Sequence, residues 1–190
     1  SGRGVVHSEM PEQEEGVMEG FQLWLNLPSR DKMCKPAYQD IQSENIPELS
    51  TQAGVKVRVI AGQSHGIRGA VQRPLAEFPT DALYLDIHFE NEASFQQALS
   101  TQHNAFLFVY RGSVNVISPT EQTPVALHRM AILRNEGEGV QIQATAGSKV
   151  LLIAGQPLNE PIAQYGPFVM NTRDELIQAV DDFRAGLYNS

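Results

Sequence analysis

Between Val55 and Ala154 apolar residues recur at every second position in short runs, and the runs are broken by turns rich in glycine. A period of two is the period of a strand with one buried face, because successive side chains of an extended chain point to opposite sides. Val55, Val57 and Val59 alternate with Lys56, Arg58 and Ile60; Leu83, Leu85, Ile87 and Phe89 alternate with Tyr84, Asp86, His88 and Glu90. Further strands are predicted at 131–133, 140–144 and 150–154, and 105–117 reads as a hairpin turning at Gly112. The stretch ENEASFQQALSTQHN reads as a connection, and AGQSHGIRG as a turn that makes His65 a loop histidine; it lacks phosphate-cradle spacing. Many short strands at close spacing imply an all-β sandwich or barrel, and residues 48–170 supply enough chain for one jelly roll.

One helix closes the chain. Thr172 with Glu175 three residues on forms a capping box, Asp174 and Glu175 suit the positive end of the helix dipole, and Gly186 is the expected cap. Leu176, Val180, Phe183 and Leu187 fall at helical spacing and make an apolar stripe, expected to pack on the barrel.

Composition excludes several classes of function. With 14 basic against 22 acidic residues the formal charge is −8, and the basic residues are scattered, which argues against direct contact with nucleic acid phosphates. No long apolar run suggests a membrane span. The single cysteine, Cys34, cannot close an intramolecular disulfide, so a reducing, cytoplasmic setting is expected, and with no companion His motif it is read as packing or surface.

The side chains with metal-ligand character lie near the start. In a strand His7 and Glu9 project from one face with Val5, and an imidazole beside a carboxylate suits iron, manganese, zinc or nickel. Taken alone, His-x-Glu is a weak signal that a plain strand carries equally well. After an acidic loop, Phe21, Leu23, Leu25 and Leu27 alternate with Gln22, Trp24 and Asn26, a second predicted strand with Trp24 packing across a sheet. Residues 28–47, with three prolines, read as a linker with a short strand near Tyr38 to Ile41. Asp86 and His88 repeat the same-face spacing of a metal pair, but no partner strand offers further histidines, so they read as a polar surface or, as the minor alternative, a small-ligand pocket.

The flanks of the His-x-Glu pair carry more. Gly2-Arg3-Gly4 before it, Met10-Pro11 after it and the run GFQLWLNLP resemble the pirin family of the cupin superfamily. The likeness continues in Pro36-x-Tyr38-Gln39, Tyr84-Leu85-Asp86, residues 152–158, Glu160-Pro161-Ile162, Gly166-Pro167-Phe168-Val169-Met170-Asn171-Thr172 and helix residues Gln178, Ala179, Asp182 and Phe183. The resemblance implies two cupin barrels, double-stranded β-helices, with iron in the amino-terminal one, held by a His-x-His pair and a later His-x-Glu pair. Only the second pair matches here, as His7 and Glu9.

On that resemblance, residues 1–47 are expected to be the remnant of the amino-terminal barrel plus linker, 48–170 the carboxy-terminal barrel and 171–190 the helix. The family implies Fe(II) and a flavonol-like substrate for an intact parent acting as a quercetin 2,3-dioxygenase, with Glu9 as ligand and base. The alternative is a metal-modulated regulator that binds a protein partner. A third reading, independent of the family, is a β-sandwich binding module without metal. With two of four ligands, this chain is expected to hold no iron and to turn nothing over, and strands lacking their neighbours are expected to favour dimer formation.

Overall fold

The computed structural model describes residues 2–8, 10, 14–71 and 81–189. The chain forms two compact units, one of Asp40–Pro157 and one of Ser1–Gln39 with Leu158–Ser190.

The unit Asp40–Pro157 is a two-sheet jelly roll, as the alternation requires. Its larger sheet has six strands, in the order β1 (Glu48–Ser50), β2 (Val55–Ala61), β5 (Leu83–Phe89), β12 (Lys149–Gly155), β7 (Asn104–Arg111) and β10 (Met130–Ile132). The smaller has four, β6 (Ala93–Ala98), β11 (Gly139–Ala144), β8 (Val114–Ile117) and β9 (Gln122–Val125), and the short hairpin of β3 (Gln63–Ser64) and β4 (Ile67–Arg68) leaves the end of β2. All pairings named here are antiparallel.

The alternating apolar residues meet between the sheets. Val55, Val57, Val59, Leu85, Ile87, Leu107, Val109, Val150 and Leu152 from the six-stranded sheet pack with Phe95, Val114, Val140 and Ile142 from the four-stranded one. Register is thereby fixed, since a slip of one residue would turn Leu152 outward and bring Leu151 or Ile153 in. Two polar side chains enter this interior at one end. Buried Ser64 donates through Oγ to Oε1 of Gln97 at 2.7 Å, and Gln97 in turn donates to the carbonyl of Ala98.

Two readings of the sequence in this unit are corrected. Ala93–Ala98 is a strand paired with β11, not a connection; its inward positions are Phe95 and the polar Gln97, so apolar alternation does not reveal it. Residues 105–117 are not a hairpin either: at Gly112, φ +64, the chain leaves the six-stranded sheet and enters the four-stranded one. A side chain at Gly112 would collide with Ser148, so glycine is required at this corner for space as well as for backbone angle.

The other unit carries the helix α1 (Arg173–Arg184) and the hairpin of β13 (Ala163–Tyr165) and β14 (Phe168–Met170). The capping box forms as expected, with the Glu175 amide donating to Thr172 Oγ1 at 3.2 Å and the Thr172 amide to Glu175 Oε2 at 2.8 Å. Ala185 is the cap, and Gly186 follows it in the left-handed region at φ +73. The helix stripe meets its own hairpin: the rings of Phe168, Phe183 and Tyr188 lie 6.0 to 6.3 Å apart, centroid to centroid. Lys32, buried at 5% exposure, donates from Nζ to Asn26 Oδ1 at 2.6 Å and to the Val169 carbonyl at 3.0 Å, tying residues 26–32 to the hairpin. Burial pushes its ammonium below the ordinary lysine value, against the pull of Glu160 and Glu175.

The predicted strands before residue 48 do not form. Among the described residues no sheet pairing involves this segment; it holds two short 3-10 turns, Ser29–Asp31 and Ser43–Asn45, and residues 38–41 are irregular. Phe21, Leu23 and Leu25 are all exposed, and Trp24, at 59%, does not pack across a sheet. The physical reason is that alternation describes a chain fit to cover one apolar face, whereas a strand also needs a neighbour for its ladder hydrogen bonds.

Truncating a core side chain should separate inner from edge positions. Leu152→Ala, at full burial in a central strand, is expected to lose about 3 kcal/mol in urea denaturation. Ile132→Ala, at 82% exposure on edge strand β10, should stay within about 0.5 kcal/mol of the parent.

Candidate functional site

His7 lies on an exposed, irregular stretch, and its motif partner Glu9 lies outside the described residues. The turn before it is held by the Arg3 amide donating to the Cys34 carbonyl at 2.9 Å. Both glycines of Gly2-Arg3-Gly4 have positive φ, +54 and +121, and a Cβ on Gly4 would sit 2.6 Å from the Tyr188 ring. This gives the glycines of the motif a conformational reason. By donor chemistry an imidazole and a carboxylate fit two positions of a mixed nitrogen and oxygen iron set. Among the described residues, which do not include Glu9, no three His, Cys, Asp or Glu side chains converge.

The second same-face pair found in the sequence, Asp86 and His88, is drawn together with a third residue. On the outer face of the six-stranded sheet Tyr110 Oη donates to Asp86 Oδ1 at 2.6 Å, and His88 Nε2 lies 3.0 Å from Asp86 Oδ2 and 2.9 Å from Tyr110 Oη. The phenolic proton is committed to Asp86, so Nε2 faces only acceptors. It must carry the proton, which leaves Nδ1 as the free lone pair when the ring is neutral. Tyr110 is 7% exposed, and the Asp86 and His88 side chains 16% and 26%.

Burial alone would push the Asp86 carboxyl up. Hydrogen bonds from His88 and Tyr110, and the charges of His88 and Arg58, outweigh it and hold the carboxyl below its usual value. Burial, with the Asp86 charge, pushes the neighbouring Tyr84 phenol above its ordinary value. Arg58 sits opposite Asp86 in the register, anchored by Nη2 to the Ser43 carbonyl at 2.9 Å and to Ser43 Oγ at 2.7 Å.

Sequence spacing brought out two members of this cluster and missed Tyr110. Tyr110 comes from β7, two strands from β5 across β12, and stands where the β12–β7 register shifts: Val150 pairs with Val109 but Lys149 with Arg111, leaving Tyr110 as the extra residue of a bulge. The other histidines do not join it. His65 occupies the β3–β4 turn at φ +47, against Ser64 and the Phe95 ring, and His103 lies 3.6 Å from Asp81.

The comparisons bear on the chain as a whole. Residues 84–189 match the profile of the pirin C-terminal cupin domain. A Pseudomonas aeruginosa protein provisionally named quercetin 2,3-dioxygenase is 46% identical over 97% of this chain, and human pirin is 41% identical, also over 97%. The chain belongs to the pirin family. It spans 64% of the length of the Pseudomonas protein and 61% of human pirin. The crystal structure of a quercetin 2,3-dioxygenase from Acinetobacter baumannii superposes with a TM-score of 0.78 at 34% identity, over 88% of this chain and 56% of that one. The all-β cupin jelly roll with its carboxy-terminal helix is thus the fold of this chain. Among its described residues no helix is long and apolar enough to cross a membrane.

The depressed Asp86 carboxyl carries a pH signature. A carboxyl held below its unfolded value stabilises the fold above the unfolded pKa, near 3.9, and that contribution is lost as pH falls through the lower folded value. The stability of the parent chain should therefore fall with acidification below about pH 4, and Asp86→Asn should flatten that slope. Tyr110→Phe, which removes one donor to the charged oxygen, is expected to cost about 1–3 kcal/mol at neutral pH, measured by urea denaturation.

Proposed function

We propose that the full-length pirin to which this sequence belongs is an iron-dependent quercetin 2,3-dioxygenase. The observation that carries the reading is His7-x-Glu9, set between Gly2-Arg3-Gly4 and Met10-Pro11 in a chain 46% identical to the Pseudomonas protein of that name. In a protein that also has the family's His-x-His pair, His7 would give a neutral imidazole and Glu9 a carboxylate. Iron bound there supplies Lewis acidity and O2 chemistry. The share of this chain is the two donors, and the Glu9 carboxylate would be the base that takes the hydroxyl proton of a flavonol. With two ligands alone, the chain as it stands holds iron weakly and does not turn over substrate.

The alternative is a regulator whose iron state tunes a protein-binding surface. The exposed Phe21, Leu23, Trp24 and Leu25 support a related proposal, that this chain self-associates through its amino-terminal segment.

Full-length protein purified anaerobically should contain about one iron per chain and bleach quercetin absorbance under O2. Glu9→Gln and His7→Ala should each lower turnover by at least about 10²-fold. Iron without turnover would favour the regulator, and protein without iron would defeat both. Light scattering of the present chain at high concentration should show dimers that Trp24→Glu disperses; a strict monomer would count against association.

A further inference from the structure

The register of the six-stranded sheet lines up four basic residues far apart in sequence. Lys56 on β2 pairs with His88 on β5, His88 pairs with Lys149 on β12, and Lys149 pairs with Arg111 on β7. At the ordinary interstrand spacing this row covers about 15 Å. Like charges placed directly opposite one another across strands destabilise a sheet, and Lys149 and Arg111 are such a pair in a chain of net charge −8.

The acids nearby compensate only part of the row. Glu90 pairs with Lys56 at 2.8 Å and, by hydrogen bond and charge, holds its ammonium above the ordinary value. Asp86 is engaged by His88 and Tyr110. Among the described residues Lys149 has no carboxylate within ion-pair distance. Three of the row, Lys56, His88 and Lys149, line with Arg58 and the half-buried Ile46 an open cleft of about 910 Å³, in the size range of small-molecule sites. Glu44, Glu48 and Glu90 also line it; Glu90 is paired with Lys56, and Glu48 stands opposite Arg58 in the register. Among the described residues, the ammonium in the cleft with no carboxylate at ion-pair distance is that of Lys149.

We propose that this cleft on the outer face of the carboxy-terminal barrel binds a small organic anion, through a phosphate or carboxylate group seated at Lys149 and His88 and bounded by Arg58. Lys149 supplies the ammonium. His88, with Nε2–H anchored on Asp86 and Tyr110, turns its Nδ1 edge away from that anchor, where the lone pair accepts from a hydroxyl of the anion or from water bound to it. Ile46 takes the apolar part of the ligand. The site is independent of His7 and Glu9, so it stands whether or not the dioxygenase reading does.

The test is a titration of the protein with inorganic phosphate in one arm and citrate in the other, at low ionic strength, followed by amide chemical shifts. Saturable shifts confined to residues around 56–58, 88–90 and 147–149 are expected, and the tighter of the two probes identifies the anionic group. Lys149→Ala should weaken binding at least five-fold and Lys149→Glu abolish it, while Lys35→Ala on the other unit leaves it unchanged; added NaCl should weaken it. Amide spectra of each variant establish that it is folded. Non-saturating shifts spread over the lysines generally, or equal binding by the parent and Lys149→Ala, would overturn the site.

Discussion

The aliphatic interior of the jelly roll governs what the unit Asp40–Pro157 can do. Valine, leucine and isoleucine from both sheets fill the space in which a cupin barrel could house a polar site, and among the described residues the buried polar side chains of this unit, Ser64, Gln97 and Ser148, are small or neutral and donate to one another or to backbone carbonyls. A charge placed there would need partners that the apolar walls do not offer. Chemistry-bearing side chains in this unit are therefore displaced to the outer face, and Asp86, His88 and Tyr110 collect there because the alternation that sends Leu85, Ile87 and Val109 inward sends them outward.

How much of this could be read from residues alone depended on which physical quantity the pattern encodes. Alternation encodes one-sided burial, so β2, β5, β11 and β12 were legible: their inner positions are uniformly apolar. It failed in both directions elsewhere. β6 turns Gln97 inward, and β9 has only Val125 buried, so neither shows an apolar period although both are paired. Residues 21–27 show the period and are unpaired in any sheet, because hydrogen-bonding neighbours are not a local property of sequence. The helix was read most fully, since a capping box depends on residues three apart and nothing distant.

The two candidate sites were legible to different depths for the same reason. His7 and Glu9 stand out through their flanking motif, and the conformational role of Gly2 and Gly4 accounts for part of that motif without reference to a metal. The same-face relation of Asp86 and His88 follows from spacing alone. Tyr110 does not, because its approach depends on a third strand between them and on a one-residue register shift, which together place a phenol 2.6 Å from a carboxylate 24 residues away.

The basic row extends that logic. Lys56, His88, Lys149 and Arg111 are not neighbours through any attraction among themselves; each is where it is because Val55, Val57, Ile87 and Val150 are held in the core. Sliding one strand to relieve the repulsion would expose a whole buried face, at about 25 cal/mol for each Å² of apolar surface. Repulsion between partly exposed side chains amounts to a fraction of a kcal/mol to about one kcal/mol per pair. The core wins by a wide margin, so the row stays in place whether or not an anion is present. Its ammonium and imidazole edges are aligned before a ligand arrives, and little ordering remains to oppose binding.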